Sequence, residues 1–463
     1  MACNSSSCNS NCYKNDDEQQ QHSPPPSPPR ITTQRSSNNG HYSLCIKCKA
    51  NQPISTTSSS SVDEMRFCAD CFRSNIYGKF RVAVTSHAMI TPSDNVLVAF
   101  SGGPSSRVAL QFVHDMQLRA QKNFDASKDR SLPVFGVGVA FIDERAVYQL
   151  PSEKLDDAIR EMNLVVSSLA PPTKRLHIVP IENVYSPDSI DGKDRLMELL
   201  NHVNDATGKE DLLLHLRMLA LQKVASENGY NRLVLGSCTS RIACHVLSAT
   251  VKGQGYSLSA DIQYVDSRWE VPLVLPLRDC TAQELSLMCR IDGLKTMELL
   301  NYPLTGIYGL VSSFVTLLQE ENPSRESTIV RTAGKLTPFH FNRIPEINDC
   351  NVPLATRRRQ KRYNIKPVES ISSELFCPIC NSPLNDSEIS RLNSPKSCQS
   401  SSFRDACCSS CNFQILPKDP SLMEHFYLSL PQHLVTRAKR GSSDNLSLLR
   451  EQIQDCLLSD GED

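Results

Sequence analysis

The chain has 463 residues and a nearly balanced charge, with 49 Lys and Arg against 50 Asp and Glu. This length accommodates two or three domains, and the net charge gives no global attraction for nucleic acid or for a membrane surface. The first residues contain no apolar segment of the signal-peptide type, and no apolar stretch approaches the roughly 20 residues that span a bilayer. The composition therefore predicts a soluble, intracellular protein, in which any RNA contact comes from a local patch.

Residues 1–43 are rich in Ser, Asn, Gln and Pro. Such a composition does not bury a core, so these residues are predicted to form a disordered tail, with loose thiols at Cys3, Cys8 and Cys12.

The chain contains 19 cysteines, and eight of them fall in four C-x-x-C pairs. In a reducing compartment this pattern favours metal sites over disulfides. Two pairs together supply the four thiolates of a tetrahedral Zn²⁺ site. Residues 44–75 are therefore predicted to form a zinc-ribbon-like module with the ligands Cys45, Cys48, Cys68 and Cys71.

A second cysteine module is predicted at residues 374–416, where the two pairs are separated by a Ser- and Asn-rich insertion. Its expected zinc ligands are Cys377, Cys380, Cys408 and Cys411. Cys398 and Cys407 are alternative ligands, and redox-active or sulfur-carrying thiols are the alternative interpretation of the pairs in both modules.

Residues 76–322 alternate apolar strands with amphipathic helices. Strands are predicted at 95–100, 134–143, 175–181, 232–238 and 272–279. Helices are predicted at 107–120, 151–168, 211–230, 240–253, 281–292 and 306–320. The alternation predicts an α/β domain with a parallel sheet and helices on both faces.

Residues 323–373 show no clear periodicity and are predicted to form a basic linker. Its basic cluster can neutralise phosphates, and Tyr363 can stack on an unpaired base. The candidate RNA-binding residues are Arg357, Arg358, Arg359, Lys361 and Arg362. A solvated linker and a nuclear-import signal are the alternatives. The C-terminal extension, 417–463, includes a predicted helix at 445–457.

The first predicted strand runs into a turn rich in glycine and serine, and then into a helix. The turn reads Ser101-Gly102-Gly103-Pro104-Ser105-Ser106. Glycines, serine hydroxyls and a helix N-terminus together suit a phosphate, although an ordinary tight turn has the same residues. The turn resembles the S-G-G-x-D-S signature of the PP-loop ATP pyrophosphatases. That family splits ATP into AMP and pyrophosphate to adenylate a carbonyl oxygen.

The sequence departs from this family pattern at its acidic positions. Ser105 stands where the signature has aspartate, and Pro104 removes a backbone donor. A second family segment, G-H-N-x-D-D, here reads Gly236-Ser237-Cys238-Thr239-Ser240-Arg241. Since Mg²⁺ needs oxygen ligands, the sequence predicts a degraded nucleotide-binding loop.

The central domain contains no C-x-x-C pair, which weakens the case for catalysis. Cys238, at the end of a predicted strand, is a weak candidate for a catalytic sulfur acceptor. Cys244, Cys280 and Cys289 are interpreted as core residues. His177, His215 and His245 are likewise expected in the core. Pro276-Leu277-Arg278 with Glu284 resembles a P-L-R…E segment of the tRNA-thiolating PP-loop branch.

Taken together, these motifs cover most of the chain, which is identified as a member of the cytoplasmic tRNA 2-thiolation protein 2 family. The resemblance implies an accessory subunit that pairs with a catalytic tRNA 2-thiolation protein 1-type subunit, which uses ATP. It also implies thiolation of uridine-34 in the tRNAs for lysine, glutamate and glutamine, with sulfur from a ubiquitin-related modifier.

Two other classes of function remain open from the sequence. One is an independent PP-loop ligase or amidotransferase, which needs a working ATP site. The other is a zinc-finger adaptor, which explains the cysteines but leaves the α/β core unexplained. The two modules lie too far apart to form a single cross-braced RING.

Overall fold

The computed structural model describes residues 44–54, 66–127, 133–148, 152–185, 191–297, 305–342, 371, 375–392 and 399–440. The predicted tail, the basic cluster at 357–362 and the predicted helix at 445–457 lie outside the described residues. Among the described helices, none combines the length and the apolar character needed to cross a membrane.

Within the described residues, six strands form one sheet in the order β3-β2-β1-β4-β6-β5. The strands are β1 Asn95–Ala99, β2 Gly136–Asp143, β3 Arg175–Pro180, β4 Arg232–Val234, β5 Val265–Asp266 and β6 Leu273–Val274. Every neighbouring pair is parallel except β5 with β6. The predicted α/β class with a mostly parallel sheet is confirmed, although β4 and β6 are shorter than the predicted strands.

The helices cover both faces of the sheet and continue beyond it. They are α1 Ala69–Ser86, α2 Pro104–Ala126, α3 Ser152–Ser168, α4 Gly192–Asn201, α5 Ala206–Glu227, α6 Thr239–Val251, α7 Leu258–Asp261, α8 Ala282–Ile291, α9 Gly306–Glu321, α10 Arg325–Ala333, α11 Asp386–Leu392, α12 Gln399–Ala406, α13 Ser409–Gln414, α14 Pro420–Ser429 and α15 Gln432–Arg440.

The prediction of a region without periodicity from residue 323 was wrong for its first part, because α10 lies there. Three residues of α10 are buried, Glu326, Val330 and Ala333. A helix of 9 residues is shorter than the window of roughly 11–18 residues in which an apolar period becomes visible. The sequence pattern therefore did not reveal this helix.

The pleat of the central strand divides the core into two layers. Val96 and Val98 point to the side of α1, α2, α3 and α8, whereas Leu97 points to the side of α4 and α5. All three side chains are fully buried, and each such burial contributes about 1.5–3 kcal/mol.

The carboxyl-terminal cysteine module packs into one of these layers. Cys377, Phe403 and Phe426 belong to the same buried cluster as Leu97 of β1 and Leu216 of α5. Within the described part of the chain, this module and the sheet share one hydrophobic core. The predicted domain boundaries themselves remain predictions.

Gly208 marks the closest approach between the module and the sheet's helices. It lies in the first turn of α5, and its N–H donates to the capping carboxylate of Asp205 at 2.8 Å. A Cβ atom at this position would lie 1.9 Å from the carbonyl oxygen of Gln414, the last residue of α13. Only glycine lets these two backbones meet.

We expect Gly208→Ala to destabilise the protein by about 1–3 kcal/mol, because a backbone carbonyl has to move to admit the methyl group. The matched control is Gly255→Ala, where an added Cβ meets nothing within 4 Å. Urea unfolding of both variants measures the difference, and equal midpoints would contradict the close packing.

Candidate functional site

The turn at 101–106, which the sequence predicts to be a degraded nucleotide-binding loop, lies where ligands bind in open α/β sheets. β1 and β4 are neighbours, and the chain proceeds from β1 towards β2 and β3 but from β4 towards β6. The turns after β1 and β4 therefore flank the point where the strand order reverses, at the carboxyl edge of the sheet. The two segments singled out in the sequence are brought together here.

The turn after β1 has the backbone of a phosphate loop, but its hydroxyl groups bond within the turn. Gly102 has φ +84°, a conformation that favours glycine, and Pro104 begins α2. The Ser106 hydroxyl donates to the Gly103 carbonyl at 3.0 Å and lies 3.3 Å from the Ser101 hydroxyl. These contacts hold the turn closed without a ligand.

Protein atoms lie close to Gly102 of this turn and to Gly236 of the turn after β4. The backbone N–H of Met297 donates to the Gly102 carbonyl at 2.9 Å. A Cβ on Gly102 would lie 3.1 Å from the Met297 Cβ, and one on Gly236 would lie 2.8 Å from the Ser106 backbone. Other residues of the chain therefore occupy the space that is left by the missing side chains of Gly102 and Gly236.

The residues after β4 are also hydrogen-bonded to neighbouring helices. The Ser240 hydroxyl donates to a Glu326 carboxylate oxygen at 2.6 Å and accepts from the Ala282 N–H at 2.9 Å. Ser240 stands at one of the family's acidic positions, yet here it joins α6 to α8 and α10. Glu326 is 1% exposed, and burial raises its pKa. The sequence missed Glu326 because it lies in the predicted linker.

The P-L-R…E segment has structural roles in the described contacts. The Arg278 guanidinium donates to the Ile262 carbonyl at 2.6 Å and stacks over the Tyr264 ring. Glu284 forms a capping box with Thr281 at the start of α8, and it is also ion-paired with a lysine of α1.

The central thiols are buried or half-buried. Cys238 is buried at the N-cap of α6. Burial raises the pKa of Cys280 above its ordinary range, and it raises the pKa of both Cys244 and Cys289 to about 11. A thiol with a raised pKa is a poor nucleophile at neutral pH, so these three suit a structural role.

The three histidines differ in their environment. His177 is hydrogen-bonded to the Tyr230 hydroxyl at 3.0 Å, and His245 contacts Asp261 at 3.1 Å. His215 is half-buried on α5, and burial lowers its pKa. None of these described contacts involves either of the two turns.

The C-x-x-C pairs assemble into two quartets, and within each quartet the four sulfurs lie within 4.8 Å of one another. The Cys48 and Cys68 sulfurs are 3.7 Å apart, and those of Cys380 and Cys408 are 3.6 Å apart. Zn²⁺ bound tetrahedrally at about 2.3 Å requires sulfurs about 3.8 Å apart. The residues therefore fit a closed Cys₄ site, which supplies folding energy and offers no open position for chemistry.

The first pair of each quartet forms the same turn. The N–H of Lys49 donates to the Cys45 carbonyl at 2.8 Å, and that of Asn381 donates to the Cys377 carbonyl at 2.9 Å. Both donors have a left-handed backbone, with φ values of 54° and 58°. Two segments more than 300 residues apart thus adopt one local structure.

The second pair of each quartet begins a helix. Cys68 caps α1, and Cys408 caps α13, where its sulfur accepts the Cys411 N–H at 3.4 Å. The positive end of a helix stabilises thiolates. In the amino-terminal quartet, burial opposes ionisation, but backbone hydrogen bonds lower the pKa of Cys45 to about 6.

Cys407 and Cys398, the two cysteines predicted as alternative ligands, differ in what the structure shows of them. Cys407 is fully buried and hydrogen-bonds to Cys377, but it is not one of the four grouped sulfurs. Cys398 lies outside the described residues, as does the basic cluster with its candidate RNA contacts.

No family model matches the chain. A protein of Arabidopsis thaliana named cytoplasmic tRNA 2-thiolation protein 2 is 60% identical over 464 residues, which covers 100% of each chain. The chain belongs to the cytoplasmic tRNA 2-thiolation protein 2 family.

Other matches include a family member from Oryza sativa subsp. indica, which is 52% identical over 399 residues and 86% of each chain. Among solved structures, the U34-tRNA thiolase of Methanococcus maripaludis, with its 4Fe–4S cluster, has a TM-score of 0.46 and 16% identity. The match covers 64% of this chain and 88% of that one.

The position of the two quartets in this family member predicts unequal effects of ligand loss. We expect Cys377→Ser with Cys408→Ser to destabilise the whole chain by more than about 4 kcal/mol, since this quartet lies in the shared core. Cys45→Ser with Cys68→Ser should instead unfold the amino-terminal module and leave the sheet folded. Urea unfolding and zinc content of both double variants check this, and equal global losses would contradict it.

Proposed function

We propose that this chain is the accessory subunit of a complex that 2-thiolates wobble uridine-34 in cytoplasmic tRNAs for lysine, glutamate and glutamine. The observation that carries the proposal is the full-length match to a protein named for cytoplasmic tRNA 2-thiolation. In this proposal a tRNA 2-thiolation protein 1-type partner performs the ATP chemistry. A thiocarboxylated ubiquitin-related modifier supplies sulfur, and this chain acts in the cytoplasm.

The packing of the degraded loop supports the assignment of ATP chemistry to the partner. Met297 covers Gly102, the loop hydroxyls bond to one another, and Ser105 replaces the aspartate. Opening this loop for a nucleotide would break these contacts, and the carboxylates that hold magnesium would still be missing. The chain's remaining roles are to pair with the partner and to hold tRNA, while zinc in the two quartets would stabilise its fold.

Loss of this protein from cells should remove the 2-thio group from bulk tRNA and retain the side chain at position 5 of the uridine. Mass spectrometry of nucleosides measures both modifications in the same digest. Restoration by the wild-type gene is the control, and unchanged 2-thiouridine would contradict the proposal.

Ser105→Ala should change 2-thiouridine levels by less than about twofold, because this chain's loop does not handle ATP in the proposal. Its counterpart is the variant of the partner subunit that lacks the signature aspartate, which should abolish thiolation. If Ser105→Ala alone removes thiolation in a folded protein, or if this chain alone exchanges pyrophosphate into ATP, the independent-ligase alternative replaces the accessory role.

Alanine at Arg357, Arg358, Arg359, Lys361 and Arg362 should weaken tRNA binding by the complex. Each lost phosphate contact should reduce the slope of log affinity against log salt by about 0.7–0.9. A filter-binding titration at several salt concentrations measures that slope. Alanine at the exposed Lys122 and Lys193 is the control, and an unchanged slope in the cluster variant would exclude the cluster from the RNA contact.

A further inference from the structure

The two cysteine quartets share one local structure but differ in their access to solvent. In the carboxyl-terminal quartet all four cysteines are buried, with Cys377 and Cys411 exposed by 0% and 2%. In the amino-terminal quartet Cys45 and Cys68 are buried, Cys71 is half-buried and Cys48 is exposed. The cysteines of the carboxyl-terminal quartet are therefore shielded from solutes, whereas the amino-terminal quartet is accessible to them.

The residues around each first turn account for this difference. In the carboxyl-terminal turn, Asn381 exchanges hydrogen bonds with Arg268 of the core, and Arg437 donates to the Pro378 carbonyl at 3.2 Å. In the amino-terminal turn, Leu44 and Ile46 remain 52% and 45% exposed. Cys48, two residues after Ile46, is exposed as well.

We propose that the amino-terminal quartet is a reversible oxidation site, at which a peroxide attacks Cys48 and Cys68 completes a disulfide. Two features of the structure carry this assignment. Cys48 is the exposed cysteine of the quartet, and its sulfur lies 3.7 Å from that of Cys68. Cys68 is itself 3% exposed, so Cys48 is the more accessible of the two to the oxidant. The inference concerns a different property of the chain and does not depend on the proposed function.

The reaction balances with a peroxide as the two-electron oxidant. The Cys48 thiolate attacks one oxygen of hydrogen peroxide, the O–O bond breaks, and the products are a sulfenic acid and hydroxide. The Cys68 thiolate then attacks the Cys48 sulfur, the S–O bond breaks, and a second hydroxide leaves. Both sulfurs are oxidised by one electron each. The metal loses two of its four thiolates and is released.

The effect of oxidation should remain local. Cys68 caps α1, so the new bond changes the start of that helix. The buried residues Phe72, Ile76 and Phe80 lie farther along α1 and hold it against the sheet's helices. The second quartet keeps its metal, since its four sulfurs are enclosed by the core.

The test uses the full zinc-loaded chain treated with hydrogen peroxide, with zinc release followed by a colorimetric chelator. The wild type should release one of its two zinc ions at least about tenfold faster than the other, since oxidation follows thiol exposure. Cys45→Ser with Cys68→Ser removes two ligands of the amino-terminal site, so this variant should lack the fast phase, which assigns that phase to the amino-terminal quartet. Dithiothreitol with added zinc should restore the first site.

Alkylation and peptide mass spectrometry then identify the bond that forms. A peptide pair joined through Cys48 and Cys68 is expected. Release of both zinc ions at one rate, first release from the carboxyl-terminal quartet, or a disulfide that pairs Cys48 with another cysteine would overturn the assignment. An amino-terminal quartet without metal in the folded chain would also overturn it.

Discussion

The central strand β1 is buried on both faces, and the positions of many other elements follow from that constraint. Each face of a parallel strand in the middle of a sheet needs its own apolar layer. One layer comes from α1, α2 and α3, which lie around β1 in sequence, and from α8, which lies much further along the chain. The other comes from α4 and α5 together with a cysteine module that lies over 100 residues further along the chain. The second quartet is therefore part of the core that buries Leu97.

This packing distinguishes the carboxyl-terminal cysteine module from an appended zinc finger. A separate finger folds around its own metal and leaves the neighbouring domain unchanged. Here the backbone of α13 meets α5 at Gly208, and the four thiols of the quartet belong to the same cluster as the sheet. The amino-terminal quartet uses the same turn, and Cys68 likewise stands at the N-cap position of a helix, although its sulfur accepts no capping hydrogen bond there. The carboxyl-terminal quartet thus lies in the shared core, whereas the amino-terminal quartet lies at the start of a single helix.

The turn after β1 is packed against other parts of the chain. A turn built to approach phosphate carries unpaired donors and empty space beside its glycines. In this chain the Ser101 and Ser106 hydroxyls lie in contact within the turn, and Met297 lies beside Gly102. Ser240 of α6 bonds to Glu326 of α10 and to the Ala282 N–H of α8. The turn also joins β1 to α2, which begins at Pro104.

The sequence by itself determined the local features of this protein. Alternating apolar strands and helices indicated the α/β class, because that periodicity arises from burial on two faces. The C-x-x-C spacing indicated both quartets, since each pair brings its two sulfurs together from neighbouring residues. Only the tertiary structure decided which quartet is buried, that Met297 covers the loop, and that Glu326 lies beside Ser240. These facts depend on contacts between residues far apart in the chain, and no local pattern records such contacts.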